Sequence, residues 1–433
     1  MKIYKYPNWD QATRILQRPQ FADSPDLLEK TAQILKAVRE DGDDALRLFS
    51  AKFDGMVPDT WRIDEREIQQ AERQLSVELK SAIDQAYQNI TLFHRSQCAE
   101  EPIVSTMPGV SCWRKNVPVD RVGVYIPGGS APLFSTVLML GVPAQIAGCK
   151  QVVLCTPPQK NGEVHPAILY GASLCGIKEI YAIGGAQAIA AMAYGTASVP
   201  GVYKIFGPGN RWVTAAKQLV SLEGVAIDMP AGPSEVCIVA DAAANPSFIA
   251  ADLLSQAEHG PDSQVVFITN TPGLIELVDQ ALKVQVSELP RQAIALQALE
   301  NSQAILVEDI ESAMKWANYY APEHLILAVE HPESWAGKVQ NAGSVFLGNF
   351  TPESAGDYAS GTNHALPTNG YARGYSGVSV DSFLKKITFQ QITPDGLLKL
   401  GPIVQTMANA EGLEAHAMAV KVRLTSIQET NGR

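Results

Sequence analysis

Residues 252–264, DLLSQAEHGPDSQ, close an apolar helical pattern with a run of polar, metal-capable side chains. Gln256 and His259 stand three apart, so on a helix an amide oxygen and an imidazole share one face and can reach one ion. Gly260-Pro261 stops the helix there. The plainer alternative is a histidine that caps the last carbonyls. Glu323 and His324, adjacent in YAPEHL, offer a carboxylate and an imidazole from one helix-to-strand turn, two groups able to move protons of different acidity near neutral pH. Against this stands a helix-terminal histidine beside a solvated glutamate. Asp357 and His364 lie in AGDYASGTNH, too polar and glycine-rich for a core strand and of the loop type that carries function on a rigid scaffold. His416 lies in EGLEAH near the end of the chain. Gln256, His259, Asp357 and His416 would supply two nitrogens and two oxygens without a thiolate, which suits an ion recruited for substrate binding better than structural zinc. Spacing alone leaves that set open.

The elements that must position these groups follow from apolar periodicity. From Val122 onward short apolar runs alternate with Ala/Leu-rich helical segments: VGVYI, QVVLCTP, EIYAIG, VYKIFG and GVAIDMP, then EVCIVA, QVVFITN, QAILVE, HLILAV and GSVFLG. This is the rhythm of parallel strands with crossover helices. About ten strands exceed one small sheet, so the expected fold is α/β with two Rossmann-like, open, mainly parallel sheets. Residues 1 to about 100 read as helices, with Ser24 and Asp64 as caps and Ile68, Leu75, Leu79, Ala82 and Ala86 as a core-facing stripe. The pattern returns to helices after about residue 379. The expected division is a helical extension over 1–25, a first Rossmann-like domain over 26–121 plus 236–378 carrying most of the candidate site residues, a second over 122–235, and a helical tail over 379–433.

Three strand-to-helix turns are rich in glycine: Tyr125-Ile-Pro-Gly-Gly-Ser130, Gly184-Gly-Ala-Gln187 and Phe206-Gly-Pro-Gly-Asn210. Bare amides at a helix start can hold a pyrophosphate, although tight turns need glycine for geometry alone. No complete G-x-G-x-x-G and no Walker A sequence is present. Three such turns in consecutive units favour a bound nucleotide.

With 46% hydrophobic and 18% charged residues, the 433-residue chain is expected to fold throughout. A net charge of -11 without a basic run disfavours nucleic acid as a partner. Six cysteines without a C-x-x-C pair imply a reducing compartment. The first residues lack the apolar core of a signal peptide and no window approaches 18 uninterrupted apolar residues, so a cytoplasmic protein without membrane contact is expected.

Taken together, DLLSQAEHGPDSQ, IDMPAGPSE, IFGPGN, YAPEHL, SAGDYASGTNHALPT and EGLEAH closely resemble histidinol dehydrogenases, and the similarity runs from end to end. The resemblance implies oxidation of L-histidinol through L-histidinaldehyde to L-histidine, the last two steps of histidine biosynthesis, with reduction of two NAD+. It implies one zinc ion per subunit on Gln256, His259, Asp357 and His416, and Glu323 and His324 as the acid-base pair. Substrate contacts map onto Ser234, Glu411, His324 and the zinc ligands, with His364 a further candidate. NAD contacts map onto Tyr125, Gln187 and Asn210, one in each glycine turn. The family pattern is a homodimer of intertwined subunits in which Glu411 and His416 of the tail complete the partner's site. One departure is Ala321, where glycine is familiar before Pro-Glu-His. Three rivals fit less well. A zinc-dependent hydrolase leaves the glycine turns and the two-layer rhythm unexplained, and a covalent aldehyde dehydrogenase needs a reactive cysteine where Cys149 and Cys155 read as structural thiols. A non-catalytic NAD-binding protein would not require Glu323, Asp357 and His416 together.

Overall fold

Val- and Ile-rich runs become strands where helices cover both faces of a sheet. The computed structural model describes residues 1–19, 25–128, 132–230 and 232–431. Among them the strands are β1 (Lys2–Lys5), β2 (Val104–Met107), β3 (Val110–Pro118), β4 (Arg121–Tyr125), β5 (Gln151–Thr156), β6 (Glu179–Ala182) and β7 (Lys204–Phe206). They continue with β8 (Ala226–Ile227), β9 (Glu235–Ala240), β10 (Gln264–Thr269), β11 (Gln303–Leu306), β12 (His324–Ala328), β13 (Ser344–Leu347) and β14 (Leu384–Ile392). The chain divides into one unit of Met1–Gln97 and Val119–Phe383 and a second of Cys98–Pro118 and Leu384–Arg433.

The first unit holds two open parallel sheets, ordered β1-β11-β10-β9-β12-β13 and β6-β5-β4-β7-β8. All ten strands expected from the apolar runs are present. In each sheet the first strand after the crossover pattern begins is central, and later strands are added on either side of it. The winding therefore reverses between β9 and β12, and between β4 and β7, the kind of place where open α/β sheets leave a crevice. β9 and β10 are buried along their whole length, which is why they read as unbroken apolar runs. No helix among the described residues is long and apolar enough to cross a membrane.

Four local expectations are corrected. The N-terminal extension starts as a strand, β1, which pairs with β11 in the register Lys2 to Gln303, before the short helix Ala12–Ile15. Its polar alternation KIYK suits a sheet edge, with Lys2, Ile3 and Lys5 exposed. Residues 26–121 were expected with the six-stranded sheet, but their helices cover the other one. Ile34, Leu35, Val38 and Leu46 share a core with Ile189 and Val213, and Ile68, Ile83 and Ile90 share one with Leu138 and Ile168. The single stretch expected from Asp64 is two helices, Glu65–Ala71 behind an Asp64 capping box and Val77–Arg95 capped by Ser76; Ala82 faces outward and Ile83 takes its place in the core. The Ser24 cap lies outside the described residues.

The fourth correction concerns the second unit. The tail is not wholly helical, because β14 pairs antiparallel with β3 along its full length, Leu384 opposite Pro118 and Ile392 opposite Val110, and β2 completes a three-stranded sheet. The expected helices follow as Pro394–Ala410 and Glu414–Asn431. Gly401 sits against Val420 and Leu424 of the second helix, where a Cβ would stand about 3 Å from their methyl groups. Ile387, Phe389, Ile403, Met407, Met418 and Val422 are exposed apolar side chains of this unit.

Candidate active site

The helix Ile310–Tyr320, capped by Asp309 at Ser312 N (2.7 Å), leads into the turn that carries Glu323 and His324. It ends at Ala321 in the left-handed region, φ 53° and ψ 64°, and Pro322 cannot continue it. The left-handed backbone costs a Cβ-bearing residue about 1–2 kcal/mol, which gives the familiar glycine at this position its physical reason. β12 starts at His324, and in the parallel ladder His324 stands opposite Val236, so the turn meets the first residue of β9, Glu235. The pair thus lies at the amino ends of β9 and β12.

Glu323 is buried, and its Oε2 accepts from the backbone N–H of Glu235 at 2.9 Å. Burial pushes its carboxyl up to about 8, against the neighbouring imidazole, which favours ionisation. His324 Nδ1 lies 3.1 Å from the Glu235 carbonyl oxygen and Nε2 lies 3.2 Å from Asp357 Oδ1. A carbonyl can only accept, so Nδ1 carries the proton and Nε2 is the nitrogen that gains or loses one. Burial opposes the imidazolium, but the charges of Glu323 and Asp357 outweigh it and raise His324 to about 10. Asp357 is opposed by burial too, yet the His324 hydrogen bond and charge hold it below the ordinary carboxylate range.

His324, Glu353 and Asp357 bring one donor atom each within 4.8 Å of one another. Glu353 and Asp357 stand four apart on the short helix Glu353–Tyr358 and so share a face. That spacing was the signal available for Glu353, which sequence reasoning passed over. Glu353 accepts from Ser255 Oγ (2.5 Å) and from the Gln256 amide nitrogen, and burial together with the Asp357 charge pushes its carboxyl up. The Gln256 amide turns its NH2 to Glu353 and its oxygen away. That Oε1 is buried without a hydrogen-bond partner, an omission worth about 1–3 kcal/mol that a cation would satisfy. His259, just past the end of helix Pro246–Ala257, is exposed; desolvation on its protein-facing side lowers its pKa, against the attraction of Asp357, and so favours the neutral imidazole a metal needs. The donor chemistry fits a zinc-like ion.

His364 has both ring nitrogens engaged, Nδ1 with Asp357 O at 2.8 Å and Nε2 with Thr136 Oγ1 at 3.1 Å. It ties the metal-capable helix to the helix Phe134–Ala147 that follows the first glycine turn. Ser234, immediately before β9, gives its carbonyl to Gln264 N at 3.3 Å. Glu411 and His416 belong to the second unit, where Glu411 follows helix Pro394–Ala410, His416 lies in the first turn of Glu414–Asn431, and both are exposed.

The glycine turns stand at the carboxyl ends of β4, β6 and β7; residues 129–131 of the first lie outside the described residues. Tyr125 is buried, its hydroxyl accepts from Gly185 N at 3.0 Å, and burial pushes it up to about 12. Gln187 is buried with its amide nitrogen unpartnered. Asn210 caps helix Arg211–Ser221 by accepting from Trp212 N (3.0 Å) and Val213 N (3.2 Å). Gly207 at φ 119° is demanded by close approach, since a Cβ there would lie 2.1 Å from Tyr125 O. Burial pushes the Cys149 thiol up to about 12, and raises those of Cys155, Cys175 and Cys237 further, so none is poised as a thiolate.

A sequence profile of the histidinol dehydrogenase family matches residues 16–424. A histidinol dehydrogenase from Bacteroides thetaiotaomicron is 57% identical over 428 residues, 99% of this chain and 100% of that protein. One from Photobacterium profundum is 53% identical over 97% of this chain and 94% of its own length. The crystal structure of histidinol dehydrogenase from Elizabethkingia anophelis superposes with a TM-score of 0.97 at 52% identity, covering 99% of both chains. With near-complete coverage in sequence and in fold, the chain belongs to the histidinol dehydrogenase family.

Proposed function

We propose that the chain oxidises L-histidinol through L-histidinaldehyde to L-histidine as a cytoplasmic homodimer, using two NAD+ and one zinc-like ion per subunit. Membership of the family makes it an oxidoreductase of histidine biosynthesis acting on histidinol. The single observation that carries the finer reading is the pair at the start of β12, a buried carboxyl beside an imidazole whose Nδ1 proton is committed to a backbone carbonyl. In the first oxidation His324 Nε2 takes the hydroxyl proton as the carbinol carbon loses hydride. In the second, Glu323 takes a proton from the water that adds to the aldehyde, and the hydrated carbon can then lose hydride again. Ser234 and Glu411 would hold the substrate, with His364 fixing the Asp357 backbone beside it.

Bound NAD+ would supply the hydride acceptor for each step, and a bound cation would supply a charge that holds the substrate and offsets Asp357. Gln256, His259, Asp357 and His416 would hold the cation, a reading supported by the unpartnered Gln256 oxygen. With the Asp357 charge offset, one of the attractions that hold the His324 proton would weaken. Tyr125, Gln187 and Asn210 would line the NAD site; the placement of their turns at strand carboxyl ends around the β4/β7 reversal favours this. Mixing the chain, zinc, histidinol and excess NAD+ is expected to yield two NADH per histidinol consumed, read by absorbance and product analysis. One NADH with aldehyde accumulating would overturn the four-electron reading.

Homodimerisation with shared sites is supported by the exposed apolar side chains of the second unit. Coexpressing an Asp357→Ala chain with a His416→Ala chain tests it. If His416 acts in the partner's site, random assortment restores about a quarter of wild-type activity, because about half the dimers are mixed and each of those has one intact site. Verified mixed dimers with no activity above either parent would reject the shared site.

A further inference from the structure

We infer that Arg18 is a positioning residue for both acid-base groups, acting through Glu235; the inference rests on the functional reading above. Glu235 holds the pair with its main chain, its N–H on Glu323 Oε2 (2.9 Å) and its carbonyl oxygen at His324 Nδ1 (3.1 Å). Whatever sets the Glu235 peptide therefore sets both proton-transfer atoms. The Glu235 side chain is 3% exposed, and its carboxylate is gripped from two sides. Arg18 donates to it through both Nε and Nη2, the latter at 2.9 Å, and Asn369 N donates at 3.1 Å.

The same guanidinium reaches the turn from its other end. Its Nη2 donates to the carbonyls of Tyr320 (2.8 Å) and Ala321 (3.3 Å), and its Cζ lies 4.0 Å from the centroid of the Tyr320 ring. One arginine thus joins the end of helix Ile310–Tyr320, the left-handed Ala321 and the first residue of β9, the three points between which Glu323 and His324 are suspended. Arg18 comes from a segment outside any helix or strand, and no local pattern marks it. The fork matters as much as the charge: a lysine ammonium can neutralise Glu235 but cannot span two carboxylate oxygens and two carbonyls at once.

If Arg18 only staples the N-terminal segment, its replacement lowers stability and leaves turnover alone. If it positions the pair, a shift of a few tenths of an ångström or more in Glu235 lowers both oxidations without touching substrate binding. The test compares the zinc-loaded full chain with Arg18→Lys, assaying histidinol and histidinaldehyde separately below the unfolding range, with folding checked by circular dichroism and zinc by elemental analysis. The expected result is a fall in kcat of about 10- to 10²-fold for both substrates, with KM for histidinol within about twofold and zinc content unchanged. A folded Arg18→Lys with kcat within about twofold of the parent, or with KM raised at unchanged kcat, overturns the inference. Should Arg18→Lys not fold, the double variant Arg18→Gln with Glu235→Gln, which removes both charges of the pair together, is judged by the same limits. A parent chain that does not turn over histidinol overturns the functional reading and the inference with it, whereas an active parent isolates the role of Arg18.

Discussion

Glu323→Gln is expected to cut oxidation of histidinaldehyde to histidine by about 10² or more while histidinol oxidation suffers far less. The amide keeps the shape of the carboxyl and can still meet the Glu235 N–H through its oxygen, so the fold of the turn survives. What it loses is the ability to take a proton from water, which only the second oxidation needs. The parent's second oxidation should also carry a pH signature. Burial places Glu323 near 8, so the base is mostly protonated at pH 6; the rate rises as pH passes through about 8 and levels above it. Glu323→Gln should lack that rise. His324→Asn should show the opposite bias, since Nε2 serves the alcohol proton. Single-turnover measurements from histidinol and from the aldehyde separate the two steps. Equal losses in both for Glu323→Gln would reduce Glu323 to a residue that merely shapes the turn.

Exhaustive removal of divalent metal is expected to abolish histidinol binding, and added zinc to restore it. The physical basis is the polar cluster of the first unit. Without a cation the Gln256 oxygen has no donor, and Glu353 shares a face with an ionised Asp357. An ion bound there would satisfy the amide oxygen and offset the carboxylate charge, and its open positions would take the substrate's imidazole and amine. Calorimetric titration of histidinol into metal-free and zinc-loaded protein reads the effect directly, with elemental analysis confirming each state. Unchanged affinity in verified metal-free protein would show the assignment of Gln256, His259, Asp357 and His416 to be wrong. Asp357→Asn gives an independent check, because it should lower zinc affinity while also releasing His324 Nε2 from its ionised partner.

Features encoded within a few residues of themselves were legible in the sequence alone. The ten parallel strands announced themselves as Val/Ile runs because both faces of each sheet are covered, and Glu323 with His324 are bound to each other by adjacency, whereas the helix expected to carry both Gln256 and His259 ends at Ala257 and His259 sits in the turn that follows. Gly207 could be read as a tight turn, though the Tyr125 carbonyl that requires it lies over eighty residues earlier and emerges only on folding. The tertiary structure decided what depends on distant partners. KIYK is a strand only because β11 offers its edge, and LKKITFQQI, whose apolar residues fall as readily on a helical period as on a strand, is one only because β3 lies alongside. Residues 25–95 cover the five-stranded sheet because their apolar faces complement those of helices 134–147 and 185–194, a match of shape that periodicity does not carry. Glu353, and Arg18 with Glu235, are ordinary charged residues in sequence. They acquire a role because folding buries them beside groups hundreds of residues away in Arg18's case, and a buried charge must find its partner there or not fold.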